Sequence, residues 1–291
     1  PDTVYCESES PITLNGTPTG GTFSGPGVSG GQFDPGAAGP GGPYTITYTW
    51  DQMDSGGTEV LCSYDTTKTF YVDAQPNANP GTDDQICGNS YTLNASPSVG
   101  NGVWSSSPAT GIGINDDTDP NSGVTASNFG SYTLTWTETN GTCSDDESIT
   151  LDFYPVPTSD FNASSIDCYQ DNAGVTYTGN MTSSANFHWS WDGGNANPGN
   201  GIGPHTVNFN NPGTYTISLW VDENGCNSDT TTATLTNPQE ISTVVNGSSE
   251  VCDGACDAQA TVTPSGGTGT FSYIWDDPMN QNTQTATGLC G

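Results

Sequence analysis

The cysteines of this chain recur at a nearly fixed period, and this period constrains the fold more than any other feature. Cys6, Cys87, Cys168 and Cys252 open successive units at steps of 81, 81 and 84 residues. A second cysteine follows in each of the first three units, 56 residues after Cys6, 56 after Cys87 and 58 after Cys168. A repeat of this length is typical of tandem domains.

The spacing predicts that each unit carries its own disulfide. A domain of about 80 residues buries only a modest core, and closing a loop of about 56 residues stabilises it by roughly 4 kcal/mol. The predicted pairs are Cys6–Cys62, Cys87–Cys143 and Cys168–Cys226. The same rule places the partner of Cys252 beyond Gly291 and so predicts a truncated fourth unit. The predicted domains are residues 1–74, 75–155, 156–237 and 238–291.

Short alternating segments predict an all-β fold. Residues 42–48, 130–136 and 213–219 alternate large apolar and small residues, as half-buried strands do. Tyr132 and Tyr215 precede the next cysteine by 11 residues and Tyr44 by 18, so the first unit has an enlarged hairpin loop. An aromatic residue also follows each first cysteine by 17 to 23 positions: Phe23, Trp104, Trp189 with Trp191, and Trp275. This order predicts tandem immunoglobulin-like sandwiches, with the aromatic residue packed near the disulfide.

The charge balance excludes several classes of partner. The chain has 32 acidic residues and one basic residue, Lys68, for a formal charge of −31. Nucleic acids and anionic membrane surfaces require basic side chains, so neither is an expected partner. The chain contains no apolar run of 18 residues, which argues against direct membrane insertion. Disulfides persist in oxidising surroundings and predict an extracellular, secreted or cell-surface protein.

Several segments resemble repeats of giant surface proteins of Bacteroidetes. In the first unit the similar segments are residues 22–28 and 33–35, and in the second they are residues 87–93 and 136–143. The third unit is similar to polycystic-kidney-disease (PKD) domains at residues 189–194, 211–216 and 223–226, although Asp192-Gly193-Gly194 replaces the usual aromatic and Gly-Asp turn. The fourth resembles the gliding-motility adhesin repeat at residues 252–256, 266–269, 273–275 and 286–291.

This resemblance implies immunoglobulin-like and PKD-like sandwiches in an extended array at a bacterial surface. In the adhesin repeat pattern Cys256 pairs with Cys290, which leaves Cys252 unpaired within these 291 residues. The partners implied are a surface receptor or glycan, or neighbouring copies of the chain.

One loop is a candidate calcium site. Asp116, Asp117, Asp119 and Asn121 offer closely spaced oxygen ligands, and Gly123 permits a tight turn. The glycine lies one position later than in an EF-hand, and a solvated turn is the alternative. Acidic residues at 83–84 and 145–147 are further candidates for a cation at a domain junction. No cofactor is required by this scheme.

Catalytic and redox motifs are poorly supported. Residues 25–30 match G-x-G-x-x-G, but no helix follows to meet a dinucleotide phosphate. His188 and His205 are the only histidines, and no G-x-S-x-G occurs, so we expect no enzymatic activity. Thr3, Thr66 and Thr230 match a Bacteroidetes O-glycosylation pattern and are candidate modification sites.

Together these features favour a non-catalytic stalk or fibre segment of a surface adhesin that bears load through disulfide-linked sandwiches. A self-assembling filament subunit is the first alternative, which exposed apolar patches or unpaired strand edges would favour. A carbohydrate-binding accessory module is the second, and it requires exposed aromatic platforms on one face.

Overall fold

The computed structural model describes residues 3–290 and is almost entirely β-structure, with a single four-residue helix in that range. The all-β prediction is therefore confirmed. The chain divides into two compact units, Pro1–Pro155 and Val156–Gly291. No helix in the described part of the chain has the length and apolar character needed to cross a membrane.

The first unit begins with a sandwich of two sheets. Its elements are β1 (Thr3–Cys6), β2 (Ile12–Thr13), β3 (Thr22–Ser24), β4 (Val28–Ser29), β5 (Gln32–Phe33), α1 (Pro35–Ala38), β6 (Gly41–Met53) and β7 (Val60–Asp73). One sheet has the order β1-β7-β6-β3 and the other β2-β5-β4. Strand β1 runs parallel to β7, and Cys6 lies opposite Asp73. The core contains Phe33, Ile46, Phe70 and Val72.

The second sandwich of this unit repeats the same plan. Its strands are β8 (Asp84–Cys87), β9 (Ser90–Thr92), β10 (Asn101–Ser107), β11 (Ile112–Ile114), β12 (Gly123–Ala126), β13 (Gly130–Asn140) and β14 (Cys143–Tyr154). The sheets have the orders β10-β13-β14-β8 and β11-β12-β9. Strand β8 runs parallel to β14, and Cys87 lies opposite Tyr154.

Alternation along β13 builds the core of the second sandwich. Tyr132, Leu134, Trp136 and Glu138 are buried, whereas the residues between them are partly accessible. Side chains two residues apart on a strand share a face, so the predicted pattern turns one face of β13 inward. Trp136 packs against Trp104, with ring centroids 5.1 Å apart.

Glu138 is a buried carboxylate that organises the neighbouring loop. It is 1% exposed, and its Oε2 accepts hydrogen bonds from the Ser98 amide at 3.0 Å and the Ser98 hydroxyl at 2.6 Å. Its Oε1 accepts a hydrogen bond from Trp136 Nε1 at 2.9 Å. Burial raises the pKa of Glu138, but the hydrogen bonds from Ser98, Trp136 and Val99 outweigh it and hold the pKa below its ordinary value.

The second unit contains a third sandwich. Its strands are β15 (Phe161–Ala163), β16 (Ala173–Tyr177), β17 (Asn186–Ser190), β18 (Asn195–Asn197), β19 (His205–Asn208), β20 (Gly213–Glu223), β21 (Cys226–Asn227) and β22 (Thr231–Asn237). One sheet has the order β15-β16-β19-β18; in the other, β20 pairs with β17, β21 and β22. Val207, Phe209, Ile217 and Leu235 belong to its core.

A three-stranded antiparallel sheet follows in the same unit. It comprises β23 (Ser242–Ser248), β24 (Ala258–Ser265) and β25 (Thr285–Leu289), in that order. Ala286 is buried, but Val244 and Val245 of β23 are 60% and 58% exposed. This part of the chain therefore presents a single sheet with much of its apolar surface accessible.

Candidate functional site

A disulfide joins the first two sandwiches. Cys6, at the end of β1, is bonded to Cys143, at the start of β14, with their Cα atoms 5.0 Å apart. Cys6 belongs to the first sandwich and Cys143 to the second. The bond therefore crosses the junction between two folded cores rather than the interior of either.

The predicted pairs Cys6–Cys62 and Cys87–Cys143 are therefore wrong. Cys6 lies opposite Asp73 at one end of β7, and Cys62 lies eleven residues away along the same strand. Eleven residues of extended strand span about 36 Å, whereas disulfide-bonded Cα atoms are usually about 4.4–6.8 Å apart. Cys87 and Cys143 are separated in the same way along β14. Each sandwich thus carries its two cysteines at opposite ends.

The remaining cysteines complete the correction. Cys168 is a free thiol, so the predicted pair Cys168–Cys226 is also wrong. Cys168 lies in a turn that bonds to Asn237, near the Gly213 end of β20, whereas Cys226 follows the opposite end of that strand. Cys87 and Cys226 are each disulfide-bonded.

In the fourth repeat the predicted cysteine states are confirmed. Cys256 is bonded to Cys290, and Cys252 is free. The aromatic residues do not pack beside an internal disulfide as predicted, because the Cys6–Cys143 bond lies at the junction. Trp104 instead packs against Trp136.

Asp73 and the β13–β14 turn form a polar contact next to the disulfide. The Asp73 carboxylate accepts hydrogen bonds from the Thr142 amide at 2.7 Å and from the Thr142 hydroxyl at 3.0 Å. Gly141 has φ +57°, and a Cβ atom there would lie 2.1 Å from Asp73 Oδ2. Only glycine therefore fits at this turn, both for its backbone conformation and for the close approach of the carboxylate.

The linker between the two sandwiches is fixed by the second sandwich. Asn140 Nδ2 donates to the Ala74 carbonyl and Gln75 Nε2 donates to the Ser144 carbonyl, both at 2.9 Å. The Ala78 amide donates to Asp145 Oδ2 at 2.8 Å. Pro76, Ala78 and Pro80 are buried. The linker is thus packed rather than solvated, which restricts movement of one sandwich against the other.

The loop proposed to bind calcium is organised by its own hydrogen bonds. Asp116 Oδ1 accepts from the Thr118 hydroxyl at 2.7 Å and the Thr118 amide at 2.9 Å, and these bonds lower the pKa of Asp116. Asp119 Oδ1 accepts from the Asn121 amide at 2.9 Å. Over residues 3–290, the one group of three metal-ligating side chains found close together is Glu250, Cys256 and Cys290, whose sulfurs form a disulfide. Calcium binding at 116–121 stays a prediction.

The three candidate glycosylation sites differ in exposure. Thr66, on β7, and Thr230, just before β22, are exposed, whereas Thr3 on β1 is half-buried. Their modification stays a prediction. His188 lies on the surface, stacked on Trp220 with ring centroids 3.7 Å apart and hydrogen-bonded to Asp222.

The sequence analysis missed the junction, although the cysteine lattice contained a signal for it. A bond from the first cysteine of one unit to the second cysteine of the next repeats with the same period as a bond within one unit. The hydrogen bonds made by Asp73, Gln75 and Asn140 carry no comparable motif. Disulfides of this kind are consistent with an extracellular or cell-surface location.

Comparison with known proteins supports the fold class. No family model matches the chain, and no curated protein sequence matches it. The I67–I69 fragment of the titin I-band is similar in structure at 10% identity and a TM-score of 0.41, covering 81% of this chain and 94% of that one. Extracellular domains 3–5 of Drosophila OTK have 8% identity and a TM-score of 0.37, covering 67% and 70%. Immunoglobulin domains 1–5 of Sidekick-1 have 10% identity and a TM-score of 0.30, covering 91% and 65%. All three are multidomain immunoglobulin-type structures, and this chain is likewise a tandem array of immunoglobulin-like sandwiches.

Proposed function

We propose that this chain is a non-catalytic, load-bearing stalk segment of a bacterial cell-surface adhesin. The observation that carries the proposal is the Cys6–Cys143 bond between neighbouring sandwiches. The hydrogen bonds from Thr142 to Asp73 and from Gln75 to Ser144 support the same joint. A stalk must hold consecutive modules together under tension, and this joint is covalent.

The bond changes what tension can do to the chain. Force applied between residue 1 and position 156 follows the shortest covalent path, which crosses from Cys6 to Cys143 and omits the segment between them. That segment corresponds to a sequence separation of 137 residues. The first sandwich lies outside the loaded path, and so does the second as far as Cys143. The cores can therefore loosen without lengthening the stalk.

Composition and sequence resemblance support the bacterial and adhesin parts of the proposal. A chain with a formal charge of −31 repels itself and remains soluble and extended outside the cell. The similarity of residues 252–291 to the gliding-motility adhesin repeat and of residues 189–226 to PKD domains favours a surface protein of Bacteroidetes. A distal receptor or glycan is the partner that a stalk of this kind serves.

Single-molecule stretching of the full chain tests this proposal. Handles are placed at residue 1 and at a non-natural amino acid at position 156. The oxidised wild type should lack the extension of the segment between Cys6 and Cys143. The double variant Cys6→Ser/Cys143→Ser should gain roughly 480 Å of contour length, at about 3.5 Å for each of 137 residues.

Cys62→Ser is the matched control, because it removes a free cysteine and should leave the contour length unchanged. Equal extension in wild type and the double variant would show that the bond does not carry the load, and the stalk proposal would then fail.

A further inference from the structure

The β6–β7 hairpin of the first sandwich is equivalent to the hairpin that carries Cys143. Cys62 lies eleven residues before Asp73, the last residue of β7, and Cys143 lies eleven residues before Tyr154, the last residue of β14. Both strands form the central antiparallel pair of their sandwich, β6 with β7 and β13 with β14. Cys62 therefore occupies in the first sandwich the position that Cys143 occupies in the second.

The two equivalent cysteines differ in their surroundings. Cys143 is 2% exposed and bonded to the neighbouring sandwich, whereas Cys62 is an exposed free thiol. The same structure thus contains one occupied and one vacant example of the same joint. The occupied example specifies what the vacant one is built to receive, namely a cysteine at the end of another sandwich.

Exposed apolar side chains surround Cys62. Met53, Val60, Leu61 and Tyr64 are 50%, 53%, 59% and 60% exposed, and together with Cys62 we call them the hairpin tip. Val60 and Leu61 precede Cys62, Tyr64 follows two residues later, and Met53 lies opposite Val60 on β6. In a chain this acidic, four large apolar side chains at one solvent-exposed tip mark an interaction surface. This observation is independent of the cysteine equivalence.

The chain also carries a free cysteine of the complementary class. Cys168 opens the third unit, two lattice steps after Cys6, and is an exposed free thiol. Its turn is attached to the end of the last strand of its sandwich, where the Gln170 amide donates to Asn237 Oδ1 at 3.0 Å. The turn after Cys6 is attached in a comparable way, since the Glu7 amide donates to the Asp73 carbonyl at 2.9 Å.

We propose that the hairpin tip docks on the Cys168 end of the third sandwich of a second copy of this chain, and that Cys62 and Cys168 form an intermolecular disulfide there. The contact is head-to-tail, because the tip of one copy meets a different surface of the next. Such heterologous contacts continue from copy to copy. The proposal goes beyond the stalk function, since it joins separate chains.

The covalent step is thiol–disulfide exchange with glutathione disulfide as the oxidant. One thiol, Cys168, first exchanges with glutathione disulfide to give a mixed disulfide and one released glutathione thiolate. The Cys62 thiolate then attacks the Cys168 sulfur, the new Cys62–Cys168 bond forms, and the second glutathione leaves as a thiolate. Two protein thiols are oxidised and one glutathione disulfide is reduced, with release of two protons to solvent.

Cross-linking of the full chain tests the proposal. All variants carry Cys252→Ser, which removes the third free thiol and leaves the native disulfides intact. In a glutathione redox buffer the parent should form a ladder of dimers, trimers and longer species on a non-reducing gel. Peptide mass spectrometry should identify the Cys62–Cys168 bond. A mixture of Cys62→Ser and Cys168→Ser chains should stop at the heterodimer, because each chain then carries one reactive end.

The apolar docking is tested separately from the thiols. Val60→Ser/Leu61→Ser should slow cross-linking roughly tenfold, the change that about 1.4 kcal/mol of lost docking energy produces. The matched control is Val103→Ser/Phe129→Ser, which removes two exposed apolar side chains from the second sandwich. Circular dichroism verifies that both variants remain folded.

Three results would overturn the proposal. Chains that remain monomeric with glutathione caps on Cys62 would show that no partner docks. Symmetric Cys62–Cys62 bonds as the main product would replace the head-to-tail contact with an unspecific one. Equal rates for the tip variant and its control would show that the apolar residues do not contribute. None of these results bears on the Cys6–Cys143 bond, so the stalk proposal would stand or fall separately.

Discussion

At the scale of single residues, Glu138 is the most consequential polar group in the second sandwich. A carboxylate that is 1% exposed survives there because Ser98 and Trp136 donate hydrogen bonds to it. Hydrogen bonds to a buried charged group are among the stronger ones, and leaving the donors without an acceptor is costly. Glu138 thus ties the loop at Ser98 to the core strand β13.

Glu138→Gln should weaken the fold and flatten its acid dependence. We expect a loss of about 2 kcal/mol at neutral pH, since a charged acceptor becomes a neutral one. Because the folded-state pKa of Glu138 is lowered, its contribution is fully present above the ordinary glutamate pKa of about 4.3 and is lost as the pH falls through the folded-state value. Urea unfolding between pH 3 and 7 measures both effects.

Glu147→Gln is the control for this series. Glu147 is exposed and faces Trp136 across the β13–β14 pair, so its substitution changes the net charge equally without removing a buried acceptor. The acid limb of this variant should resemble that of the wild type. Parallel acid limbs for Glu138→Gln and wild type would contradict the role assigned to Glu138.

At the scale of elements, the β13–β14 hairpin turn determines whether the two sandwiches can meet. Gly141→Ala introduces a side chain at φ +57° and pushes against the Asp73 carboxylate. The backbone strain alone costs roughly 1–2 kcal/mol. Displacing Asp73 also breaks its hydrogen bonds to Thr142. The Cys6–Cys143 bond should therefore be reduced at a less reducing glutathione ratio than in the wild type.

Gly57→Ala separates strain from contact. Gly57 has φ +67° in the turn of the first hairpin, and no atom lies within 4 Å of its would-be Cβ. It should cost the same backbone strain and leave the Cys6–Cys143 redox equilibrium unchanged. Thiol alkylation followed by mass spectrometry measures the oxidised fraction in each protein. If the two glycine variants gave the same redox midpoint, the close contact at Gly141 would have no energetic role.

Elements were also the scale at which the sequence was most informative. The alternation at 130–136 correctly predicted β13, because burial of every second residue needs only one covered face. The pairing of cysteines was predicted wrongly, because Cys6 and Cys62 fit the same lattice as Cys6 and Cys143. Only the parallel placement of β1 beside the end of β7 separates the two choices, and that placement depends on tertiary structure. The hydrogen bonds around Asp73 were inaccessible for the same reason.

At the scale of the whole molecule, electrostatic repulsion opposes folding. With 32 acidic residues and one base, nearly all long-range charge interactions are unfavourable, and the folded state brings the charges closer together. Raising the NaCl concentration from 0.01 to 0.1 M shortens the Debye length from about 30 to about 10 Å. The melting temperature should therefore rise with salt. A fall on adding NaCl would contradict this account.

Calcium chloride at matched ionic strength distinguishes screening from binding. A rise in melting temperature beyond that given by NaCl would indicate an ion bound to the folded state. Asp116→Asn/Asp119→Asn should remove that excess if the 116–121 loop is the site. If the excess persists in this variant, the ion binds elsewhere on the acidic surface.

The wide separation of Cys6 and Cys143 also dictates an order of events during biosynthesis. Cys6 is made 137 residues before its partner, and Cys62 is the first cysteine that it could meet. Early oxidation would capture that neighbour and prevent β7 from extending fully. Once the first sandwich has folded, the strand itself holds the two thiols about 36 Å apart. Folding must therefore precede oxidation, and the completed sandwich proofreads its own cysteine before the second sandwich arrives.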